Sequence, residues 1–221
     1  NRLRSVRLGL CMTTHDKDVA AIPNLHVMAE GIFKAYENAA DHLKILLVDQ
    51  RPSVPMPETA HRKSLEEMVG ELSLPEGAVE ILPTPVVGST GFVARSMMQA
   101  LSPSENFTHL GIVGRNYKIH PETISRLYTM LVLLAPEHAL SVVCGGTFTT
   151  KKPSVQVGDV FCVSPQTGAQ KAVKQPLNLS RLADTVINET IDVKEKGAYA
   201  PWRLACLPVP LIRDQGYPLP F

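Results

Sequence analysis

Leu43-Lys-Ile-Leu-Leu-Val-Asp49 reads as a β-strand that ends in an acid. The proline-rich stretch 52–57 soon after it cannot be regular structure. Ahead of it, residues 22–40 repeat apolar side chains at helical spacing: Leu25, Met28, Ala29, Ile32, Phe33 and Tyr36. Before that helix, Val6-Arg-Leu-Gly-Leu-Cys-Met12 reads as a buried strand, stopped by Thr13-Thr-His-Asp-Lys-Asp18. The same alternation continues downstream. A short helix is expected over 64–72, a strand at Val79-Glu-Ile-Leu-Pro83, and a helix from Gly88-Ser-Thr-Gly91 to about Leu101. A strand at His109-Leu-Gly-Ile-Val113 follows. The next helix spans 121–134, with Pro121 near its start and Glu122 in its first turn. A fifth strand, Leu140-Ser-Val-Val-Cys144, is closed by Gly145-Gly146.

Strands and helices that alternate through short connections predict an α/β fold: an open, mainly parallel sheet with helices on both faces. In such sheets ligands bind beyond the carboxyl ends of the strands, which here points to 13–18, 49–53, 84–91 and 114–120. After Thr147 the pattern weakens. Residues 151–180 mix Ser, Gln, Gly, Pro and Lys and read as loops with a hairpin, while 181–191 fit either helix or strand.

Composition narrows the function classes. The chain has 221 residues, enough for one α/β domain, and 44% are hydrophobic, enough for a core. A net charge of +1 gives no electrostatic case for nucleic acid. Cys11, Cys144, Cys162 and Cys206 are widely spaced and form no metal pattern, so a reducing compartment, the cytoplasm, is the simpler expectation. The amino-terminal stretch alternates like a strand rather than a signal peptide, and the longest apolar run, Met130 to Ala135, is far short of a membrane span.

Five segments in order carry a resemblance: strand–Thr13-Thr-His15; Leu-Leu-Val-Asp49-Gln50; Gly88-Ser-Thr-Gly-Phe92 with Arg95; Thr108 to Leu127 with its Pro121-Glu122; and Trp202 followed by an apolar, proline-broken run to Arg213-Asp-Gln-Gly-Tyr-Pro-Leu-Pro-Phe221. Together they resemble the bacterial family 2 glycosyltransferases of GT-A type, in particular the galactofuranosyltransferase-like branch. The resemblance implies a GT-A-like sheet incomplete at its carboxyl end. Residues 1–150 would be the nucleotide-sugar-binding part, and 151–221 a loop-rich, acceptor-side part of the same domain. It implies a UDP-sugar donor, a glycan or lipid-linked acceptor, and polysaccharide biosynthesis for the cell envelope. The setting would be the cytoplasm, peripheral on the inner face of the membrane. Self-association into a homo-oligomer is left open. In the branch it resembles, the Pro-Leu-Pro-Phe run leads into the acidic segment that carries the catalytic base, so that base is expected past Phe221.

The resemblance assigns roles residue by residue, and each has a plainer alternative. Asp49 would accept the N–H of a uracil ring, or cap a turn before Arg51-Pro52. Thr13 and Thr14 would contact the base, or cap a helix. Gly88 and Ser89 would let backbone approach ribose or phosphate at a helix start, or form an ordinary turn. Arg95 would meet phosphate with its planar fork, or be a surface arginine. Trp202 would line the acceptor pocket, or sit in a core or at a domain joint. His15 and His120 fall on the same ligand-binding edge, without metal-ligand spacing.

The departures shape the expectation. The family places three acids after the fourth strand, holding Mn²⁺ or Mg²⁺; this chain has Gly114-Arg115-Asn116. A divalent ion bridging a diphosphate needs hard carboxylate oxygens. Gly114 has none, Arg115 repels a cation and Asn116 gives one neutral oxygen. The family's metal is therefore not expected here. Arg115 and Asn116, or Lys118, remain as weak candidates for the diphosphate, a fixed cation serving in place of the metal. Two functions are carried forward: an inverting glycosyltransferase, and a degenerate, non-catalytic glycosyltransferase-like domain with a structural or binding role. A nucleotidylyltransferase fits less well, because residues 13–18 lack a glycine- and arginine-rich loop.

Overall fold

The computed structural model describes residues 5–14, 21–36, 38–50, 65–84, 88–114, 119–133, 143–144, 147–149, 154–163, 170–178, 198–199 and 204–215. In chain order these form β1 (Leu8–Thr14), α1 (Ala21–Met28), a π-helical turn (Ala29–Phe33), α2 (Ala39–His42), β2 (Leu43–Asp49), α3 (Leu65–Gly70), β3 (Val79–Pro83), α4 (Gly88–Ala100), β4 (His109–Val113) and α5 (Pro121–Leu133). Then come β5 (Val143–Cys144), β6 (Thr147–Thr149), β7 (Ser154–Val163), β8 (Gln170–Asn178), β9 (Ala198–Tyr199), β10 (Leu204–Pro208) and α6 (Val209–Gln215). The chain divides into two compact units, Asn1–Ser141 with Cys206–Phe221, and Val142–Ala205.

The larger sheet has the strand order β3-β2-β1-β4-β10-β5. β1 runs parallel to β2 and to β4, and β2 runs parallel to β3. Val209, directly after β10, donates its N–H to the carbonyl of Thr108, directly before β4, at 2.9 Å. The carboxyl end of β10 therefore meets the amino end of β4, and β10 runs against β1 to β4. The sheet is mainly parallel but mixed.

Register and burial explain why helices cover both faces. Leu8, Leu10 and Met12 stand beside Leu43, Ile45 and Leu47 on one face. All six are at most 5% exposed. Leu25, Met28, Ile32 and Phe33 from α1 and the π-turn, with Ile124, Leu127 and Leu131 from α5, are the buried side chains on that side. On the opposite face Cys11, Leu46, Val48, Leu82, Leu110 and Ile112 pack with Phe92, Val93 and Met97 of α4 and with Val209 and Ile212 of α6. Each large side chain buried this way contributes about 1.5–3 kcal/mol, so strands apolar on both faces need both helical layers.

Three sequence readings change. The first strand begins and ends two residues later than Val6–Met12, so Thr13 and Thr14 belong to β1 and, among the described residues, cap no helix. The helix expected over 22–40 runs unbroken only from Ala21 to Phe33, its last turn π-helical, and α2 follows as a separate short helix. Gly31 lies in that turn, and a Cβ there would stand 2.4 Å from Cγ of Pro121. A wide turn shifts the residues that follow off the 3.6 repeat. Leu25, Met28, Ala29, Ile32 and Phe33 are buried as the spacing implies, whereas Tyr36 is 57% exposed. Finally, β10 was not expected. It supplies buried Ala205 and Cys206 to the larger sheet.

The second unit holds an antiparallel sheet in which β6 and β8 flank β7, and β9 also pairs with β7. The hairpin expected within 151–180 is β7 and β8, longer than a loop-rich reading allows, with a register shift between Gln156 and Asp159. Pro176 pairs with Gln156 beside that shift, on a strand that among the described residues pairs only with β7, where a missing N–H is tolerated. Among the described residues no helix is long and apolar enough to cross a membrane.

Candidate functional site

The parallel order β3-β2-β1-β4 reverses direction of growth between β1 and β4. The carboxyl ends of strands at such a reversal form the crevice where open α/β sheets bind ligands. Here the last residues of three strands form one row: Thr14 pairs with Asp49, and Asp49 with Pro83.

Within that row Thr14 and Asp49 are joined by their side chains. Thr14 Oγ1 donates to Oδ1 of Asp49 at 3.0 Å. Thr14 is fully buried and Asp49 is half-buried, so the carboxylate is tied to a buried hydroxyl while part of its residue stays exposed. A hydroxyl donating to a carboxylate is a charge-assisted bond, stronger than a neutral one. The backbone beneath is also tied. Gln50 donates its N–H to the Thr14 carbonyl at 3.2 Å, and Thr84 donates to the Asp49 carbonyl at 2.9 Å. Thr13 points to the other face of the sheet, its Oγ1 donating to the Val48 carbonyl at 3.2 Å and the Thr14 carbonyl at 3.3 Å. Of the two threonines, Thr14 meets the acid.

The other predicted residues are placed differently. Gly88 and Ser89 open α4, which follows β3 from the same edge of the sheet. Arg95 lies seven residues into that helix, about 10 Å from its start. Its Nη1 donates to Oε1 of Gln99 at 3.3 Å, one turn further along, and Gln99 Nε2 donates to Oε1 of Glu80 at 2.8 Å. The described bonds of Arg95 therefore run toward the amino ends of the strands, away from Thr14 and Asp49. Arg115, Asn116, Trp202 and His15 lie outside the described residues. His120 is exposed ahead of α5, and its Nδ1 accepts the N–H of Glu122 at 3.3 Å.

The described donors do not make up a family-type divalent site. Among the described residues no group of three or more His, Cys, Asp or Glu side chains comes together. At the crevice the described acid is Asp49, already bonded to Thr14, and β4 runs out into buried Gly114, which has no side-chain donor.

One buried polar group at a strand end carried no sequence signal, and one buried thiol lies deeper in the sheet. Gln50 is 2% exposed directly after β2; a polar residue ending an apolar run carries no periodic signal of burial. Cys11 lies on the α4 side, with its Sγ hydrogen-bonded to Oγ of Ser96. Burial pushes its thiol up to about 12, the Ser96 bond only partly opposing this, so Cys11 is a packing residue and not a nucleophile. No protein-family model matches this chain, and no curated protein matches it.

Proposed function

We propose that the first unit binds a nucleoside diphosphate sugar at the carboxyl edge of its sheet, as a GT-A-like, glycosyltransferase-type domain. The observation that carries this reading is the Thr14–Asp49 pair, an oriented carboxylate at the strand ends beside the β1/β4 reversal. A carboxylate there accepts the ring N–H of uracil and offers nothing to a ring nitrogen that lacks a hydrogen. The start of α4 at the same edge supports it, since backbone N–H groups at a helix start favour phosphate.

The reaction implied by the resemblance is a single displacement with inversion. An acceptor hydroxyl loses its proton to a carboxylate base while its oxygen bonds to the anomeric carbon. The bond from that carbon to the diphosphate breaks, and UDP leaves with the electron pair. Arg115 or Lys118 would supply the positive potential that helps UDP leave. A second reading, a non-catalytic domain that holds a glycan or a partner, is favoured by Gly114-Arg115-Asn116 in place of three acids.

Calorimetry of UDP with and without Mn²⁺ tests both. UDP binding that Mn²⁺ leaves unchanged is the expected result. No binding at millimolar UDP removes the nucleotide-sugar reading, and a large gain with Mn²⁺ reveals metal ligands other than those considered.

A further inference from the structure

At the amino edge of the larger sheet, away from Thr14 and Asp49, a cavity of about 590 Å³ opens over Leu8 and Leu43, the first residues of β1 and β2. Six steps of extended chain, roughly 20 Å, separate Leu8 from Thr14, so this is a different place from the crevice described above. The volume falls in the range of small-molecule sites.

The cavity has a structural cause. The π-turn and α5 come close where Gly31 meets Pro121. Further along, Ile32 and Tyr36 stand on one side and Ile124 and Tyr128 on the other, with the cavity between them. A π-turn is a rare device that re-aims the residues after it and often marks a functional position. Here those residues are the wall.

The lining states what it would accept. Leu8, Leu43, Ile32 and Ile124 make an apolar floor. His42 and Tyr128 make an aromatic wall, their ring centroids 5.7 Å apart and tilted by 54°. Asn38, Ser125 and Thr129 place neutral polar groups around the opening. No carboxylate, ammonium or guanidinium is among the described lining residues. Burial raises the Tyr128 phenol above its ordinary value, so it stays a neutral hydroxyl.

We propose that this cavity is a second ligand site, which takes a flat, uncharged aromatic molecule. Its ring lies against Tyr128 and His42, and a single polar substituent meets the hydroxyls of Ser125 and Thr129. The inference is independent of the nucleotide-sugar reading.

The probe is 2-naphthol, titrated into the protein and followed by its fluorescence, with 2-naphthalenesulfonate as the same ring carrying a fixed charge. Saturable binding of 2-naphthol, at least tenfold tighter than the sulfonate, is expected. Ser125→Trp, which fills the cavity, and Thr129→Trp, at its exposed rim, should each weaken 2-naphthol at least tenfold, with melting temperatures kept near the parent's. The rim variant keeps the test valid if the filled variant folds poorly. No saturable binding, equal binding of the sulfonate, or binding that neither substitution moves would overturn the proposal.

Discussion

Replacing Asp49 by alanine removes the carboxylate that Thr14 holds while leaving the strand's apolar side chains in place. If that carboxylate receives the uracil N–H, Asp49→Ala should weaken UDP binding by about 1–3 kcal/mol, as for a hydrogen bond to a charged group. The melting temperature should fall modestly, because the fully buried Thr14 hydroxyl loses this acceptor. Calorimetry on mutant and parent, with a thermal melt, measures both; equal affinity would make Asp49 a turn residue. Lys44 presents the opposite case, a charge whose work is structural. Its Nζ lies 2.6 Å from Glu80 and 2.5 Å from Glu105, with side-chain exposures of 16%, 30% and 7%. Burial alone would lower the ammonium, but the bonds to Glu105 and Glu80 outweigh it and hold its pKa above the ordinary value. Lys44→Met strands two carboxylates. It should destabilise the fold by about 1–3 kcal/mol in a denaturant titration, less than for a fully buried pair because Glu80 keeps some water.

At the scale of elements, the π-turn is the feature whose sequence logic can be tested. Alanine in a helical turn is favoured over glycine by up to about 1 kcal/mol. At Gly31, however, the added Cβ would meet the Pro121 ring at 2.4 and 2.5 Å, and a proline ring cannot swing aside. Gly31→Ala should therefore be destabilising by about 1–3 kcal/mol, as overpacking is. Gly111→Ala makes a useful contrast. Its Cβ would meet the end of a flexible Leu10 side chain at 2.9 Å, which can adjust. Denaturant midpoints of the two variants should rank Gly31→Ala as the less stable; the reverse order would show that the π-turn yields easily.

For the whole molecule, pH reports on how much of the core rests on neutral burial. Cys11 has its thiol raised from 9.0 to about 12. A raised value means its contribution is fully present below the unfolded value and is lost as pH climbs toward the folded one. Lys44, also raised, has the same sign and lies in the same alkaline direction. The melting temperature should thus fall between pH 9 and 12, and Cys11→Ala should flatten part of that fall after its own packing loss is allowed for. Cys11 and Cys206 are both buried. Peptide mapping after alkylation should find neither labelled in the native protein and both labelled in denaturant.

Most of the first unit was legible because its signal is local. Leu43–Asp49, Val79–Pro83 and His109–Val113 are strands over the bounds that their apolar runs define, and α4 and α5 end one residue from where their patterns stop. A strand buried on both faces must be continuously apolar, and a one-sided helix must repeat near 3.6, so both leave their mark in the order of residues. Asp49 was legible as a candidate for the same reason, as the acid that ends a strand. What escaped depends on neighbours distant in the chain. The change from α to π after Met28 falls where Gly31 closes on Pro121, ninety positions away by number. The pairing that holds Asp49 comes from Thr14, which looked like a turn residue until register set it inside β1. The place of β10 beside β4, and its reversed direction, rest on a hydrogen bond between Val209 and Thr108. Local pattern decides which segments are strand or helix and which side chains seek burial; only packing decides which segments meet, in what register, and hence which polar groups stand together at the edge of the sheet.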